Sequence, residues 1–468
     1  MTPIEALTQR IGDIPVTTME KAVKAKSRDF FWYSPVLKDR LDHISADAVV
    51  TPRTEAEVLQ VLTVCHALDI PVTARGAGTG NYGQAMPLAG GIVLDLARFN
   101  QIKSIRDGVV VTEPGVLIGD LDDACKDAVG QELRMHPSTR ETATIGGFVA
   151  GGSGGVGSIT WGSLAVPGNI LRIRMATMEA TPRLVDLTGP DIMKAHHAYG
   201  LTGIITEITL PLAPAPDWIE LLVGFDDWQS CLEAGYTVAR NDGFWLKEVG
   251  AVQAPAPYTY FRRHQKFLNE TDNVICILVA PNSVDALVDV VSRAGGRIAF
   301  RSDQASAEDR KGLPHLHHLL WNHTTLRALK TDPEITYLQM GYPEDDIAAC
   351  VAIAKRFEGE IINHVEFTRG QGKVRMGSLP LVRFRDEARL REVMAQLEDM
   401  GCEIWNPHSY TWEEGNRSDA DAGLIAMKRE FDPKGLLNPG KMIGWDNPDY
   451  VFDPKSEHVF GGLRRADP

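Results

Sequence analysis

The stretch Arg75-Gly-Ala-Gly-Thr-Gly-Asn-Tyr-Gly83, directly after the apolar run Ile70-Pro-Val-Thr73, limits this chain more than any other feature. Four glycines fall among the eight residues 76–83. So bare a backbone brings N–H groups against a phosphate and takes positive φ where a turn needs it. Arg75 adds a charged donor at the start of the segment. The segment reads as a cradle for a phosphate-bearing ligand. Gly78-Thr-Gly-Asn-Tyr-Gly83 matches G-x-G-x-x-G, as does Gly152-Ser-Gly-Gly-Val-Gly157. A dinucleotide fingerprint also needs a helix opening inside the motif. Neither Gln84-Ala-Met-Pro-Leu-Ala-Gly-Gly91 nor Ser158-Ile-Thr-Trp-Gly162 reads as a helix start, so a Rossmann site is not expected. The chain lacks G-x-x-x-x-G-K-[ST], which removes the P-loop nucleotidases.

With 468 residues the chain is too long for one ordinary core, and two or three domains are expected. A formal charge of −14 argues against nucleic acid or an anionic membrane as partner. No apolar run is long enough to span a bilayer. Met1–Thr8 shows no signal-peptide pattern, so a cytoplasmic location is expected. The six cysteines are scattered with no C-x-x-C, which fits buried free thiols rather than a cluster or structural zinc.

Thr54-Glu-Ala-Glu57 is a capping box, followed by Val58, Val61, Leu62, Cys65 and Leu68 at helical spacing. Strands are expected over 70–73, 91–96, 109–112, 170–177 and 203–210, and a helix over 116–129. A second glycine-rich region, Thr144-Ile-Gly-Gly-Phe-Val-Ala-Gly-Gly-Ser-Gly-Gly-Val-Gly157, favours a long ligand lying across both glycine segments. Pro211-Leu-Ala-Pro-Ala-Pro216 reads as a linker. The alternation of strands and helices with short connections is an α+β or α/β pattern.

Four segments in order carry a resemblance. They are Thr51-Pro-Arg-Thr-Glu-Ala-Glu-Val with Pro71–Gly80; Pro137-Ser-Thr139 with Thr144-Ile-Gly-Gly147; Tyr199-Gly-Leu-Thr-Gly-Ile-Ile-Thr-Glu207; and Asp432-Pro-Lys-Gly-Leu-Leu-Asn-Pro-Gly-Lys441. Together the sequence resembles the flavoproteins of the vanillyl-alcohol oxidase / para-cresol methylhydroxylase superfamily. The resemblance covers about 42–213 and 431–441. It implies an α+β fold: an FAD-binding domain of two α+β subdomains over 1–213, a substrate or cap domain over 214–420, and a C-terminal segment, 421–468, returning to the first domain.

FAD is the implied cofactor. Arg75, Gly76, Ala77, Gly78, Thr79, Gly80 and Asn81 would wrap its pyrophosphate, and Pro137 of the second segment is a further cofactor-binding residue. Thr144, Gly146, Gly147, Gly151, Gly152 and Ser153 would run beside the flavin and its ribityl chain. Gly203, Ile204 and Ile205 would meet the adenine side, and Asn438 and Lys441 would close over the cofactor. Relatives that bind flavin covalently through this loop have a histidine where Thr79 stands, so non-covalent FAD is expected.

The middle of the chain is less telling. His315-Leu-His-His-Leu-Leu-Trp-Asn-His323 is a candidate metal cluster. On one helix His315 and His318 would share a face while His317 pointed elsewhere. With no acidic residue close in sequence, packing is the expected role and no metal site is assigned. Asn363-His-Val-Glu-Phe367 puts His364 and Glu366 on one side of a strand. Asn406-Pro-His-Ser-Tyr-Thr-Trp-Glu-Glu414 groups His408, Tyr410 and Glu413 before the last helix. The 2-hydroxy-acid branch of the family carries H-x-G-D-G-N-x-H and G-E-H-G motifs, some with a divalent metal, and this chain has neither intact. Arg369, Arg375 and Arg383 are candidate partners for a substrate carboxylate.

The reading is an FAD-dependent dehydrogenase or oxidase acting on a CH–OH group of a small alcohol or 2-hydroxy acid. His408 is the expected base, assisted by Tyr410 or Glu413, with His364 as the other candidate. Electrons would leave to oxygen, a quinone or a carrier protein, and a homodimer is an allowed assembly. Rival readings are oxidation of an amine or a para-substituted phenol, a flavin-binding partner subunit, and a flavin-free sugar-nucleotide binder.

Overall fold

The computed structural model describes residues 1–343, 346–456 and 458–463; the expected C-terminal segment 421–468 therefore runs past the described residues. Among these, the strands form four sheets. The first has the order Val16–Thr17, Ala48–Val50, Ile92–Asp95, Val72–Arg75, its last three strands parallel. The helix Glu55–Ala67 crosses between two of them. Thr54 Oγ1 accepts from Glu57 N–H at 3.2 Å, while the Glu57 carboxylate accepts from Arg53 rather than Thr54, so the reciprocal bond of the capping box is shifted by one residue. Val58, Val61, Leu62 and Cys65 are fully buried against this sheet, as the spacing requires.

The second sheet is antiparallel, in the order Ile102–Arg106, Val109–Thr112, Ile204–Pro214, Arg172–Ala176, Leu184–Leu187, with Gln131–Leu133 also paired to Ile204–Pro214. The expected proline linker is corrected here. Pro211 and Pro214 continue the strand, opposite Val109 and Gln131. The intervening Leu212 donates to Gly108 O at 2.9 Å, so pairing survives the missing N–H groups. The chain leaves this sheet only between Pro214 and Ile219.

A third, eight-stranded sheet is built from later residues, in the order Arg297–Arg301, Ile219–Phe225, Asn273–Val279, Leu246–Val252, His364–Gly370, Lys373–Ser378, Gln339–Gly341, Glu403–Trp405. Its central strands alternate from Glu248 onward and along His364–Gly370, while bulges at Leu222/Val223 and Leu246/Glu248 interrupt the pattern elsewhere. Val249, Ala251, Val365 and Phe367 pack on one side with residues of the helices Trp228–Ala239, Val284–Arg293 and Asp346–Arg356. The opposite side carries Glu248, His364, Glu366 and Thr368. A small sheet of Ile335–Tyr337, Leu381–Arg383 and Ile361–Ile362 completes the set. The mixture is α+β, as expected. No helix among the described residues is long and apolar enough to cross a membrane.

One local expectation fails, at Ser158, where no helix start was expected. Ile145–Gly151 is a helix, capped by Thr144 Oγ1, which accepts from Gly147 N–H at 3.3 Å. Its glycines let it pack close: a Cβ on Gly146 would overlap Pro114. Ser158–Trp161 also closes one helical turn.

Candidate cofactor and substrate site

The glycine loop leaves the end of the strand Val72–Arg75 and meets the turn before the helix Ile145–Gly151. Gly76 lies directly against Thr144, and a Cβ there would overlap the Thr144 hydroxyl. Gly78 holds φ +70, a conformation that costs glycine least, and its missing Cβ leaves room for the Arg75 guanidinium. Gln84 Nε2 donates to Gly151 O at 3.0 Å and ties the two glycine segments together. Between them opens a cavity of about 900 Å³. That is near the upper end of the roughly 300–1,000 Å³ common for ligand sites.

The expected cofactor residues sort cleanly. Arg75 through Asn81, Pro137, Thr144, Gly146, Gly147, Gly151, Gly152, Ser153, Gly203 and Ile205 all line the cavity. Ile204 does not; alternation on its strand turns it into the core beside Val72 and Ile92. Asn438 and Lys441 do not line it either. Asn438 Nδ2 donates to Gln84 O at 2.9 Å and Tyr199 O at 2.8 Å, and Lys441 Nζ donates to Gly83 O. They clamp the glycine loop from behind. Burial pulls the Lys441 ammonium down to about 7, with buried Asp29 opposing.

The wall suits a long diphosphate carrying a flat ring. Arg75 is buried, its Nη atoms donate only to the carbonyls of Arg28 and Ala77, and its Nε has no partner. Gln84 Oε1 is likewise unpartnered. A cation held at the loop with spare donor capacity fits a diphosphate. Small residues from both glycine segments leave space for main chain to lie against a ring. Thr79, at the position of the attaching histidine, lines this wall.

The wall facing the glycine segments comes from later residues: Gln339, Glu366, Thr368 and Ser378 of the third sheet, Trp321, Asn322 and His323 at the start of the helix Asn322–Leu329, and Asn406. Tyr82 of the loop accepts from Gln339 Nε2 across the gap. Trp321 sits at φ +51, unusual for a bulky residue and a mark of imposed strain. That backbone aims its N–H at Glu366 Oε1, 2.6 Å away, and its indole N–H at Glu248 Oε2, 3.2 Å away. Glu366 Oε1 also lies 2.7 Å from His364 Nε2. Burial raises Glu366 to about 8, and raises Glu248 well above the carboxylate range with Glu366 adding repulsion. Burial pushes His364 down to about 3. The result is a pair of enclosed carboxyl groups backed by a neutral imidazole, poised to hold or release a proton.

The base expected at His408 is placed elsewhere. Its Nε2–H donates to Tyr337 O at 2.9 Å, so its Nδ1 accepts from Ser34 Oγ at 2.7 Å. Both nitrogens are used, the ring is buried, and it does not line the cavity. Glu413 accepts from the N–H groups of Ile443 and Gly444 at 2.9 and 2.7 Å and holds the start of the helix Ile443–Asp446. Tyr410 packs with Phe31, Leu37 and Met86, its hydroxyl accepting from Phe460 N–H. Of the four expected catalytic residues, His364 is the one whose side chain meets a carboxylate of the cavity wall; His408 reaches the wall only through its backbone N–H, which donates to Asn406 Oδ1 at 3.0 Å. Sequence reading passed over Tyr82, Glu248, Trp321 and Gln339. Of the arginines, Arg369 lines the cavity, Arg383 is paired with Asp332 and Glu334, and Arg375 is exposed.

The histidine run does not form one helix. A 3-10 turn, Leu316–Leu319, is broken at Trp321 before the helix Asn322–Leu329. His317 and His318 thereby turn together toward Glu141, correcting the expected His315–His318 face.

A family model for an FAD binding domain matches residues 46–184, which include both glycine segments. The chain is 26% identical to the glycolate oxidase subunit GlcD of Escherichia coli K12, covering 84% of this chain and 83% of that one. It is 25% identical to D-lactate dehydrogenase of Anaerostipes hadrus, covering 85% and 89%. Its fold matches 4-ethylphenol oxidase from Gulosibacter chungangensis with a TM-score of 0.65 at 17% identity, covering 94% of this chain and 96% of that one. Residues 46–184 are an FAD binding domain, and the chain is an FAD-dependent oxidoreductase. Its cofactor is FAD, and the glycine-lined wall has room for it.

Proposed function

We propose that this enzyme removes a hydride from the CH–OH carbon of a small 2-hydroxy acid. The observation that carries the proposal is that similarity to a glycolate oxidase subunit and a D-lactate dehydrogenase spans 84–85% of the chain. In this reading residues 1–213 hold FAD and 214–420 form the cap over the substrate. FAD, when bound, supplies the hydride acceptor.

The chain's own part is positioning and proton handling. Glu366, facing the cavity with His364 and Glu248 behind it, accepts the hydroxyl proton as the carbonyl forms. It must be ionised to do so, and His364 steadies the carboxylate through the 2.7 Å contact. Arg369 is the cationic side chain of the cavity wall outside the glycine loop, among the described residues. Its bonded partner, Asp242, has a side chain 81% exposed, so a substrate carboxylate can take its place at little cost. Electrons then pass to oxygen, a quinone or a carrier protein, with the enzyme at work in the cytoplasm.

The test is anaerobic mixing of the purified protein with 2-hydroxy acids of both configurations, amines and alkylphenols. Loss of oxidised-flavin absorbance with a 2-hydroxy acid supports the proposal; bleaching only by an amine or a phenol refutes it.

A further inference from the structure

We propose that Glu141, His317 and His318 form a binding site for a divalent transition-metal ion, zinc in type, at the rim of the cofactor cavity. The proposal is independent of the redox reaction. The three residues come from segments far apart in sequence, which is why the run 315–323 alone gave no metal assignment. Glu141 Oε1 lies 3.8 Å from His317 Nε2, and Oε2 lies 3.6 Å from His318 Nε2. All three ligand atoms fall within 4.8 Å of one another. Bonds of about 2.0–2.1 Å to a tetrahedral zinc put ligand atoms about 3.3 Å apart. The two Glu141 contacts need a contraction of a few tenths of an ångström, and the widest separation in the set closes by at most about 1.5 Å.

These distances exceed hydrogen-bond reach, so the groups converge without satisfying one another. His317 Nε2 is the telling atom. The side chain is 9% exposed, and this nitrogen has no hydrogen-bond partner although it faces the Glu141 carboxylate. A buried polar atom left in that state is costly, and an ion between the two relieves it. The rings of His317 and His318 lie 4.2 Å apart at 38°, with both Nε2 atoms toward Glu141.

An outer partner is also in place. His318 Nδ1 is 3.3 Å from His323 Nδ1. Metal binding through Nε2 leaves the His318 Nδ1–H to donate there, fixing its tautomer as ligating histidines require. One feature opposes a cation: Arg140 Nη1 is 3.8 Å from Glu141 Oε1. Its charge is offset by Asp122 and Asp123, at 3.1 and 2.5 Å from Nη2. Two imidazoles and one carboxylate suit zinc and its neighbours; magnesium and calcium prefer all-oxygen sets. Glu141 is exposed, so solvent completes the shell.

The site would act as a clamp. Its carboxylate sits in a loop that gives Pro137, Thr139 and Thr144 to the cavity; its histidines precede Trp321 and His323 on the opposite wall.

The experiment uses the FAD-loaded, tag-free protein, stripped with a chelator and dialysed against Zn²⁺, with metal counted per chain. Co²⁺ substitution reads the coordination from its visible absorption. We expect about one equivalent of zinc and the intense Co²⁺ bands of a tetrahedral site. Glu141→Gln and His317→Ala should each weaken binding by about tenfold or more, while His315→Ala, outside the triad, leaves it intact. FAD content reports folding, and Glu141→Gln, at an exposed position, suffices if His317→Ala does not fold. Absence of stoichiometric metal, or binding unchanged in Glu141→Gln, overturns the proposal.

Discussion

His364 Nε2 lies 2.7 Å from Glu366 Oε1, with the imidazole fully enclosed and the carboxyl group at the cavity wall. Alternation along one strand creates the pair, since residues two apart share a face.

Glu366→Gln should keep FAD and lose turnover. A general base contributes about 10²–10⁴-fold in rate. Stopped-flow flavin reduction should slow by that order while the flavin-to-protein ratio stays at the wild-type value. Reduction at the wild-type rate would remove Glu366 from the mechanism.

The pH profile follows from the sign of its shift. Glu366 is raised from 4.5 to about 8, so the proton-accepting form is populated as pH rises through about 8. kcat/KM should climb with pH toward that value and then level. The same shift makes the buried carboxyl relatively more favourable to the fold at low pH, an advantage lost between about pH 4.5 and 8. Thermal melts of wild type and Glu366→Gln across that window should separate as pH increases.

His408→Ala should behave as a packing change. It removes one partner each from Ser34 Oγ, which still accepts from Leu37 N–H, and from Tyr337 O, a loss of about 1–3 kcal/mol. Flavin reduction by substrate should remain within a few-fold of wild type while the melting temperature falls. A crippled reductive step with an unchanged melt would restore His408 as the base.

Gly76→Ala should empty the cofactor site. Its Cβ would collide with the Thr144 hydroxyl, where the two glycine segments meet. Purified variant should carry far less FAD per chain than wild type, measured by extraction, and added FAD should rescue it only at high concentration.

The cofactor wall was legible because its chemistry is local. Arg75–Asn81 and Thr144–Ser153 each carry their meaning in consecutive residues, and bare backbone is visible as glycine. The substrate wall was not. Glu248 reaches Glu366 only because Leu246–Val252 pairs with His364–Gly370, and Trp321 reaches both through a backbone twist no spacing announces. His408 looked catalytic from its place before the terminal run. Its direction is set by Ser34, far away in the chain. Pro211–Pro214 looked like a linker because proline composition is local, whereas the register with Val109 and Gln131 is not.

The most direct measurement is anaerobic flavin reduction by a 2-hydroxy acid carrying deuterium at the hydroxyl-bearing carbon. If hydride leaves that carbon in this cavity, the loss of oxidised-flavin absorbance slows with the deuterated acid, and Glu366→Gln slows it further. Bleaching by no 2-hydroxy acid of either configuration would contradict the account.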